Sequence, residues 1–239
     1  MQIGLLGYGK MGKAIEALAE PQGIKIAWKI TQNNRDQLNK TMLRTADVVI
    51  EFTRPEVAFE NITTCLEAGV PVVSGTTGWL ERLAEAENRC RENQGAFLWA
   101  SNFSVGVNLF FALNRYLARL MNSHQEYDPS VTEIHHVHKL DAPSGTARTL
   151  TDDLLQNLDR KQNWQLHPAQ AAANEIPVTA IRENEVPGTH RICWQSPIDE
   201  ITIEHQAFSR TGFASGAILS AKWLIGKTGV FRMEDVLGL

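Results

Sequence analysis

The segment from residue 133 to residue 147 has the highest density of groups that could move a proton. It contains His135, His136, His138 and Lys139, and it continues through the turn-forming sequence Pro-Ser-Gly-Thr. Histidine titrates near neutral pH, which suits it to general acid or base catalysis. The turn leads into a predicted helix, whose first N–H groups could bind an anion. The pattern therefore indicates an active site that combines proton donors with an anion site.

Strand geometry predicts how these side chains are arranged. Side chains alternate along a strand, so His135 and Lys139 point to one face and His136 and His138 to the other. A substrate that contacts both His135 and His136 therefore requires a bulge or a bend. We expect no metal, because His-His-x-His on a strand does not converge tetrahedrally and no cysteine is near. His138 is assigned a structural role, and Asp141 is assigned to the turn before Ala-Pro.

Three further ionisable residues have open roles. His205 lies on a predicted strand and is assigned to the sheet surface, whereas His190 either shares that role or positions a loop. Arg210 either binds a substrate carboxylate or forms a surface or interface ion pair.

Composition and charge restrict the class of protein. The chain has 239 residues, of which 43% are hydrophobic and 21% charged, as in a soluble globular protein with one or two domains. Its net charge of −4 argues against a nucleic-acid binder that depends on phosphate neutralisation. Three separated cysteines (Cys65, Cys90 and Cys193) and an N-terminus that reads as a strand favour the reducing cytoplasm. The longest charge-free stretch, residues 93–114, is too polar to span a membrane.

The first hundred residues alternate short apolar strands with amphipathic helices. This alternation predicts a Rossmann-like, doubly wound α/β domain with a parallel sheet. Ligands of such sheets bind beyond the carboxyl ends of the strands. The strands are predicted at residues 3–6, 24–30, 46–52, 70–74 and 96–100.

Gly7, Gly9 and Gly12 match the dinucleotide fingerprint G-x-G-x-x-G. The motif is weak alone, but here it follows a predicted strand and opens a predicted helix. Its glycines would allow a tight turn and the close approach of a pyrophosphate. We therefore expect a bound dinucleotide.

The end of the second strand bears on cofactor preference. It lacks the acid that holds the adenosine ribose in NAD-specific sites. Lys29, Thr31 and Arg35 could contact a 2′-phosphate instead; alternatively, Lys29 and Arg35 are solvated surface charges. We expect NADPH to serve at least as well as NADH.

The second half has strands without regular intervening helices, which predicts an α+β unit with an open sheet. Residues 162–174 are predicted to form a loop, and the helix at residues 216–225 to pack on the first domain. The last strands carry more apolar surface than one layer of helices can cover, which favours self-association. The apolar residues are Ile192, Trp194, Ile201, Ile203 and Phe208. Helices are predicted at 105–121 and 146–158, and strands at 131–137, 178–182, 190–195 and 200–208. The apolar face of the helix at 105–121 is predicted to consist of Leu109, Phe110, Leu113, Leu117 and Leu120.

At this point the chain closely resembles the dihydrodipicolinate reductase family. The run His-His-x-His-Lys-x-Asp-Ala-Pro-Ser-Gly-Thr-Ala is highly specific, and the likeness covers most of the chain. Two departures are a glycine loop shorter than the common G-x-x-G-x-x-G form and a trimmed stretch between the second and third strands. The remaining segments that carry the resemblance are 51–55, 75–78, 102–108, 209–210 and 213–214.

The resemblance implies an activity and an architecture. The activity is NAD(P)H-dependent reduction of 4-hydroxy-tetrahydrodipicolinate, a cyclic imino dicarboxylate, with loss of water, in the diaminopimelate and lysine pathway. The architecture is a nucleotide domain (residues 1–103 with 214–239) and an α+β substrate domain (residues 104–213) on an open mixed sheet that forms a homotetramer.

The resemblance also implies roles for individual residues. His135 and Lys139 would be catalytic, and His136, Gly145 and Thr146 would bind the substrate. The cofactor residues would be Gly7, Tyr8, Gly9, Lys10, Met11, Gly75, Thr76, Thr77, Ala100, Ser101, Asn102 and Phe103.

Two competing functions remain. An amino-acid dehydrogenase with a similar nucleotide domain would not explain Lys139 within the full histidine segment. A nucleotide sensor without catalysis would be favoured by the loss of His135, Lys139 or Gly145, and all three are present.

Overall fold

The computed structural model of the chain describes residues 1–167, 170–209 and 211–239. The chain divides into two compact units. Unit 1 comprises Met1–Val105 with Thr211–Leu239, and unit 2 comprises Gly106–Arg210. Within the described ranges, none of the helices is long and apolar enough to cross a membrane.

Unit 1 is built on a parallel sheet, as the alternating pattern predicts. The strand order is β11-β5-β4-β3-β1-β2, and every neighbouring pair is parallel. The last strand, β11, was not predicted, because three residues are too few to show a period. The strands are β1 (Gln2–Leu6), β2 (Lys25–Ile30), β3 (Val48–Glu51), β4 (Val72–Ser74), β5 (Ala96–Trp99) and β11 (Gly229–Phe231).

Helices cover both faces of this sheet, which explains why its central strands are mostly apolar. Ile15 of α1 and Ala217 of α7 belong to the core on one face. Ile62 of α3 and Ala86 of α4 belong to the core on the other. The prediction that the late helix packs on the first domain is confirmed. The helices are α1 (Lys10–Ala19), α2 (Lys40–Leu43), α3 (Pro55–Glu67), α4 (Leu83–Glu92), α7 (Thr211–Leu224) and α8 (Met233–Leu237).

Unit 2 is built on a mixed sheet with the order β10-β9-β6-β8-β7. The central strand β6 pairs parallel with β8 and antiparallel with β9. Two helices, α5 and α6, share a core with Val131, Val178 and Trp194 on one face of the sheet. The elements are α5 (Val105–Met121), β6 (Asp128–His135), α6 (Gly145–Asn157), β7 (Asn163–Leu166), β8 (Glu175–Arg182), β9 (Thr189–Gln195) and β10 (Glu200–Gln206).

Two local predictions in unit 2 are wrong. Leu109, Leu113 and Leu120 are about half exposed, whereas the buried side of α5 includes Phe110 and Phe111. The helix is apolar around much of its circumference, so its period did not show which side is covered. The predicted loop at 162–174 contains β7, an edge strand of four residues, which is too short for its alternation of polar and apolar residues to stand out. Pro168 and Ala169 of that loop lie outside the described residues.

The apolar surface expected on the sheet of unit 2 is mostly covered. Ile192 and Trp194 are fully buried beneath the helices. The face away from the helices carries Thr132, Arg191 and Cys193 with three residues of β10, and we call this the open face. Of the residues expected to be exposed, Phe208 is 88% exposed and Ile201 39%. Self-association therefore stays a prediction. The exposed apolar residues that favour it, Ile201 and Phe208, lie at the edge of the sheet.

Candidate functional site

The predicted cofactor loops lie side by side at the carboxyl edge of the parallel sheet. Backbone pairing continues past the strands, with Gly7 N–H donating to the Ile30 carbonyl (2.9 Å) and Gly75 N–H to the Glu51 carbonyl (2.9 Å). Ala100 N–H likewise donates to the carbonyl of Ser74 at 3.2 Å. The loops after β1, β4 and β5 therefore start in one row, where an open α/β sheet binds its ligand.

The three glycines of the fingerprint have different physical tasks. Gly7 has a φ of +93°, and a Cβ there would lie 1.9 Å from the Phe52 carbonyl oxygen. A Cβ at Gly12 would lie 2.4 Å from the Gly7 carbonyl oxygen, so these two positions exclude side chains. A Cβ at Gly9 would meet nothing within 4 Å, which leaves free space where α1 begins. Lys10 and Met11 form the first turn of α1, whose N–H groups suit a pyrophosphate.

A cavity of about 630 Å³ opens beside this glycine turn. Gly7, Tyr8 and Gly9, three of the predicted cofactor residues, line it. Thr31 and Arg35 also line it, together with Phe52, Thr53 and Arg54 before α3 and with Val57 and Asn61 on α3. The space and its two arginines fit a dinucleotide.

Lys29, the third residue considered for a 2′-phosphate, is engaged elsewhere. Its Nζ lies 2.6 Å from Glu16 Oε1 and 4.6 Å from the ring centre of Tyr8. Hydrogen bonding to Glu16 raises the pKa of Lys29. Arg35 pairs with the exposed carboxylate of Glu60, a contact that costs little to exchange for a ligand.

The remaining predicted cofactor residues follow β4 and β5. Gly75 leaves no room for a side chain, since a Cβ would lie 2.0 Å from the ring of Phe52. Phe52 also makes an edge contact with Phe103, with ring centres 5.7 Å apart. Thr76, Ala100 and Phe103 are buried, Asn102 is half-buried, and Thr77 and Ser101 are exposed.

A buried carboxylate at the end of β3 holds these loops together. Glu51 is fully buried and accepts hydrogen bonds from Ser74 Oγ (2.6 Å), from Thr76 Oγ1 (2.9 Å) and from the Thr53 hydroxyl. The carbonyl of Thr76 accepts a hydrogen bond from the indole N–H of Trp79 (2.7 Å) and another from Trp99 (3.0 Å). Sequence reasoning missed Glu51 as a site residue, although an acid closing an apolar strand was a usable signal.

In unit 2 the backbone turns directly after His135. Strand β6 ends there, two residues earlier than predicted, and Lys139 N–H donates to the His136 carbonyl at 3.1 Å. The bend needed for His135 and His136 to share a substrate is therefore present. His138 is exposed and pairs with Glu185 (3.2 Å), which suits a supporting role.

The loop between His136 and Ser144 holds an ion pair that sequence reasoning did not predict. Lys139 Nζ lies 2.7 and 2.9 Å from the two carboxylate oxygens of Asp141. The hydrogen bond from Lys139 lowers the pKa of the Asp141 carboxyl. Asp141 therefore positions the lysine in addition to shaping the turn.

Helix α6 begins at the predicted anion site. The side chain of Ser144 caps the helix by accepting the N–H of Ala147 at 3.2 Å. The first N–H groups of a helix have no intrahelical acceptor, which makes those of Gly145 and Thr146 suited to a carboxylate. A Cβ at Gly145 would meet nothing within 4 Å, so this helix start has free space beside it.

The carboxylate of Glu133 joins these parts of unit 2. Glu133 is fully buried, and its two oxygens accept the backbone N–H of Ser144 at 3.1 and 3.0 Å. Arg182 Nη2 donates to it at 3.1 Å, and His135 Nδ1 lies 3.4 Å from Oε2. Sequence reasoning missed Glu133 and Arg182, although strand alternation places Glu133 on the same face as His135.

His190 is buried beside this group and contacts Ser144, with 3.2 Å between His190 Nε2 and Ser144 Oγ. Of its two proposed roles, loop positioning agrees with this contact. Burial lowers the pKa of His190 to about 3, so its ring is neutral at physiological pH. Burial also lowers the pKa of His135, while the nearby charge of Glu133 acts in the opposite direction.

Glu133, His135 and His190 bring three potential metal ligands together, a group that the sequence pattern did not suggest. Both oxygens of Glu133 already accept hydrogen bonds, and one partner is the cation Arg182. A second cation would have to compete with that charge. The absence of a metal therefore stays a prediction.

His205 and Arg210 are the remaining ionisable residues for which the sequence suggested a role. His205 is half-buried against Phe110, with ring centres 6.1 Å apart, so it is more covered than predicted. Arg210, considered for a substrate carboxylate, lies outside the described residues.

The Rossmann-like sheet with its glycine turn, and the histidine–lysine cluster beside a predicted anion site, indicate an oxidoreductase that uses a nicotinamide nucleotide. Two family models match the chain: "Dihydrodipicolinate reductase, N-terminus" over residues 1–103 and "Dihydrodipicolinate reductase, C-terminus" over residues 106–237. The chain therefore belongs to the dihydrodipicolinate reductase family.

Individual relatives agree with this assignment. The chain is 48% identical over 239 residues to the 4-hydroxy-tetrahydrodipicolinate reductase of Christiangramia forsetii, covering 99% of this chain and 98% of the relative. It is 35% identical over 230 residues to that of Neisseria gonorrhoeae, covering 94% and 84%. In fold it is similar to the dipicolinate-bound dihydrodipicolinate reductase of Paenisporosarcina sp. TG-14, with a TM-score of 0.78 and 23% identity over 97% of each chain.

We predict that Glu51→Gln weakens nucleotide binding about 10-fold and lowers the free energy of unfolding by about 1–3 kcal/mol, because charge-assisted hydrogen bonds to the cofactor loops are lost. Fluorescence titration with NADPH and urea unfolding measure the two effects. Glu81→Gln, at an exposed position, is the matched control. Unchanged binding in a folded Glu51→Gln variant would contradict the assigned role.

Proposed function

We propose that this oxidoreductase reduces 4-hydroxy-tetrahydrodipicolinate to tetrahydrodipicolinate with loss of water, in the diaminopimelate and lysine pathway. The observation that carries the proposal is the convergence of His135 and the start of α6 on the Glu133 carboxylate. This arrangement provides a proton donor and an anion site in one unit, which a cyclic imino dicarboxylate requires. The family match over both halves of the chain supports it.

His135 is the proton donor of this proposal. Reduction of a conjugated imine develops negative charge at the ring nitrogen, which a positioned acid neutralises. The Nδ1 side of the imidazole faces Glu133 at 3.4 Å, which leaves Nε2 for the substrate. The bend after β6 allows His136 to contact the same substrate.

Lys139 and the start of α6 bind the substrate carboxylates. Asp141 holds the Lys139 ammonium in the loop next to His135, where it can supply a proton or pair with a carboxylate. The N–H groups of Gly145 and Thr146 provide a second anion site at the positive end of α6. Two anion sites match the two carboxylates of the proposed substrate.

A nicotinamide nucleotide, held by the glycine turn and by the loops after β4 and β5, supplies the hydride when bound. Gly7, Gly9, Gly75 and Thr76 shape the surface for it. Arg35 and Thr31 line the cavity at the end of β2, where no acid follows the strand, and this supports NADPH as at least as good a cofactor as NADH.

The thiols support the cytoplasm as the expected compartment. Cys65, Cys90 and Cys193 are all unpaired. Burial raises the pKa of the Cys65 and Cys90 thiols, which keeps them protonated and unreactive. Such cysteines are typical of proteins in a reducing environment.

We predict that His135→Ala and Lys139→Ala each lower kcat by about 100-fold or more, because the first removes the proton donor and the second removes a cation that can supply a proton or pair with a substrate carboxylate. NADPH oxidation at 340 nm, with the condensation product of pyruvate and aspartate semialdehyde as substrate, measures the rate. His138→Ala is the control and should keep a near-normal rate, since His138 is exposed. Absence of turnover by the unmodified chain with fresh substrate would refute the proposed function itself.

Cofactor preference provides a second prediction. The ratio of kcat/KM for NADPH to that for NADH should be one or more, and Arg35→Gln should lower this ratio about 10-fold, because a charged contact to the 2′-phosphate is lost. Lys29→Gln should change the ratio little, since Lys29 is paired with Glu16. A strong preference of the unmodified chain for NADH would overturn the assignment.

We also propose that the chain forms a homotetramer through the open face of unit 2. The uncovered residues of this face and the exposed Phe208 support the proposal. Light scattering should give a mass of about four chains. Thr202→Glu should reduce that mass, because it places a third acid between Glu200 and Glu204 on β10. Gln156→Glu, exposed on α6, should leave it unchanged, and a monomeric unmodified chain would contradict the proposal.

A further inference from the structure

We infer that Glu133 is the positioning residue for the proton donor: its buried carboxylate orients the His135 imidazole through Nδ1 and ties it to the start of the anion-binding helix. The inference rests on the proposed function and adds a residue that the motif does not mark as chemical.

The geometry leaves His135 Nδ1 one acidic neighbour. Nδ1 is buried, and within the described residues no hydrogen bond to it is formed. Glu133 Oε2 lies 3.4 Å away, so a small approach completes an Nδ1–H···O hydrogen bond. A proton held on Nδ1 in this way makes Nε2 the atom that exchanges a proton with the substrate.

The same carboxylate fixes the helix that receives the substrate anion. Both oxygens of Glu133 accept the N–H of Ser144, the residue that caps α6. The neutral ring of His190 contacts the Ser144 hydroxyl and packs at a ring-centre distance of 5.0 Å from His135. One buried charge therefore sets the position of the proton donor relative to Gly145 and Thr146.

The charges around His135 give the inference a directional test. Glu133 acts from β6, Arg182 from β8, and Lys139 and His136 from the following loop, while His190 on β9 is neutral. Glu133 favours the protonated imidazole, and the nearby cations oppose it. Removing Glu133 should therefore lower the pKa of His135, and removing Arg182 should raise it.

The experiment compares pH profiles of kcat for the unmodified chain, Glu133→Gln and Arg182→Gln. Because the rate requires protonated His135, it falls as pH rises through the pKa of this residue. We expect Glu133→Gln to lower kcat about 10-fold at pH 7.5, with the difference shrinking to within about 3-fold at pH 5.5. Arg182→Gln should shift the falling limb to higher pH. Glu185→Gln, which removes an exposed carboxylate, should leave the profile unchanged.

A second readout does not depend on turnover. Carbon-13 NMR of Cε1-labelled histidine, with the His135 signal assigned by its loss in His135→Asn, follows the ring titration in each variant. The opposite movements expected for Glu133→Gln and Arg182→Gln distinguish positioning from loss of packing, which would act in one direction.

Each failure has its own signature. If the unmodified chain is inactive but its His135 titration responds to Glu133→Gln, the reductase proposal fails and the contact stands. If the unmodified chain is active but Glu133→Gln changes neither the pH profile nor the titration, the inference is overturned and the reductase proposal stands. If Glu133→Gln does not fold, the test rests on Arg182→Gln. A His135 titration that is the same in Arg182→Gln and in the unmodified chain then overturns the inference.

Discussion

The structure depends on two fully buried carboxylates, one in each unit. Glu51 ends β3 and Glu133 lies near the end of β6, and each of these strands has neighbours on both sides of its sheet. A buried charge costs several kcal/mol unless hydrogen bonds compensate it. The backbone and side chains of the adjoining loops provide those bonds, so each sheet forces its functional loops into one arrangement. At these two positions, the hydrogen bonds that stabilise the fold are therefore also the ones that set the geometry of the site.

The two carboxylates are compensated in different ways. Glu51 accepts hydrogen bonds from the uncharged hydroxyl groups of Thr53, Ser74 and Thr76, which fix the loops predicted to hold the nucleotide. Glu133 has a cation, Arg182, and an imidazole among its neighbours, so its charge also acts on a group that exchanges protons. The first arrangement suits a binding surface, whereas the second suits acid catalysis. These surroundings support the proposed division between a unit that binds the nucleotide and a unit that binds the substrate.

Much of the fold can be predicted from the sequence, because the spacing of apolar residues shows which side of a helix or strand is buried. The alternating strands and helices of unit 1 predict the parallel sheet, and the motif after β6 predicts the turn. The sequence could not show which side of α5 is covered, since Leu109 and Phe110 are equally apolar. It also could not show the partner of a polar residue: Asp141 binds Lys139 within the same loop, and His190 meets Ser144, 46 residues away in the chain. Local pattern predicts elements, whereas the chemistry of the site depends on contacts across strands.

The carbonyl group of Thr76 in unit 1 bears on how ligand binding can be measured. Of the six tryptophans in the chain, two donate their indole N–H to the same oxygen, that of Thr76 in the nucleotide loop. Indole emission depends on the hydrogen bonds and the polarity around the ring. A ligand that moves Thr76 even slightly perturbs two fluorophores at once, and each responds through its single N–H group. If the proposed nucleotide binds at this loop, tryptophan emission should report its occupancy in unlabelled protein.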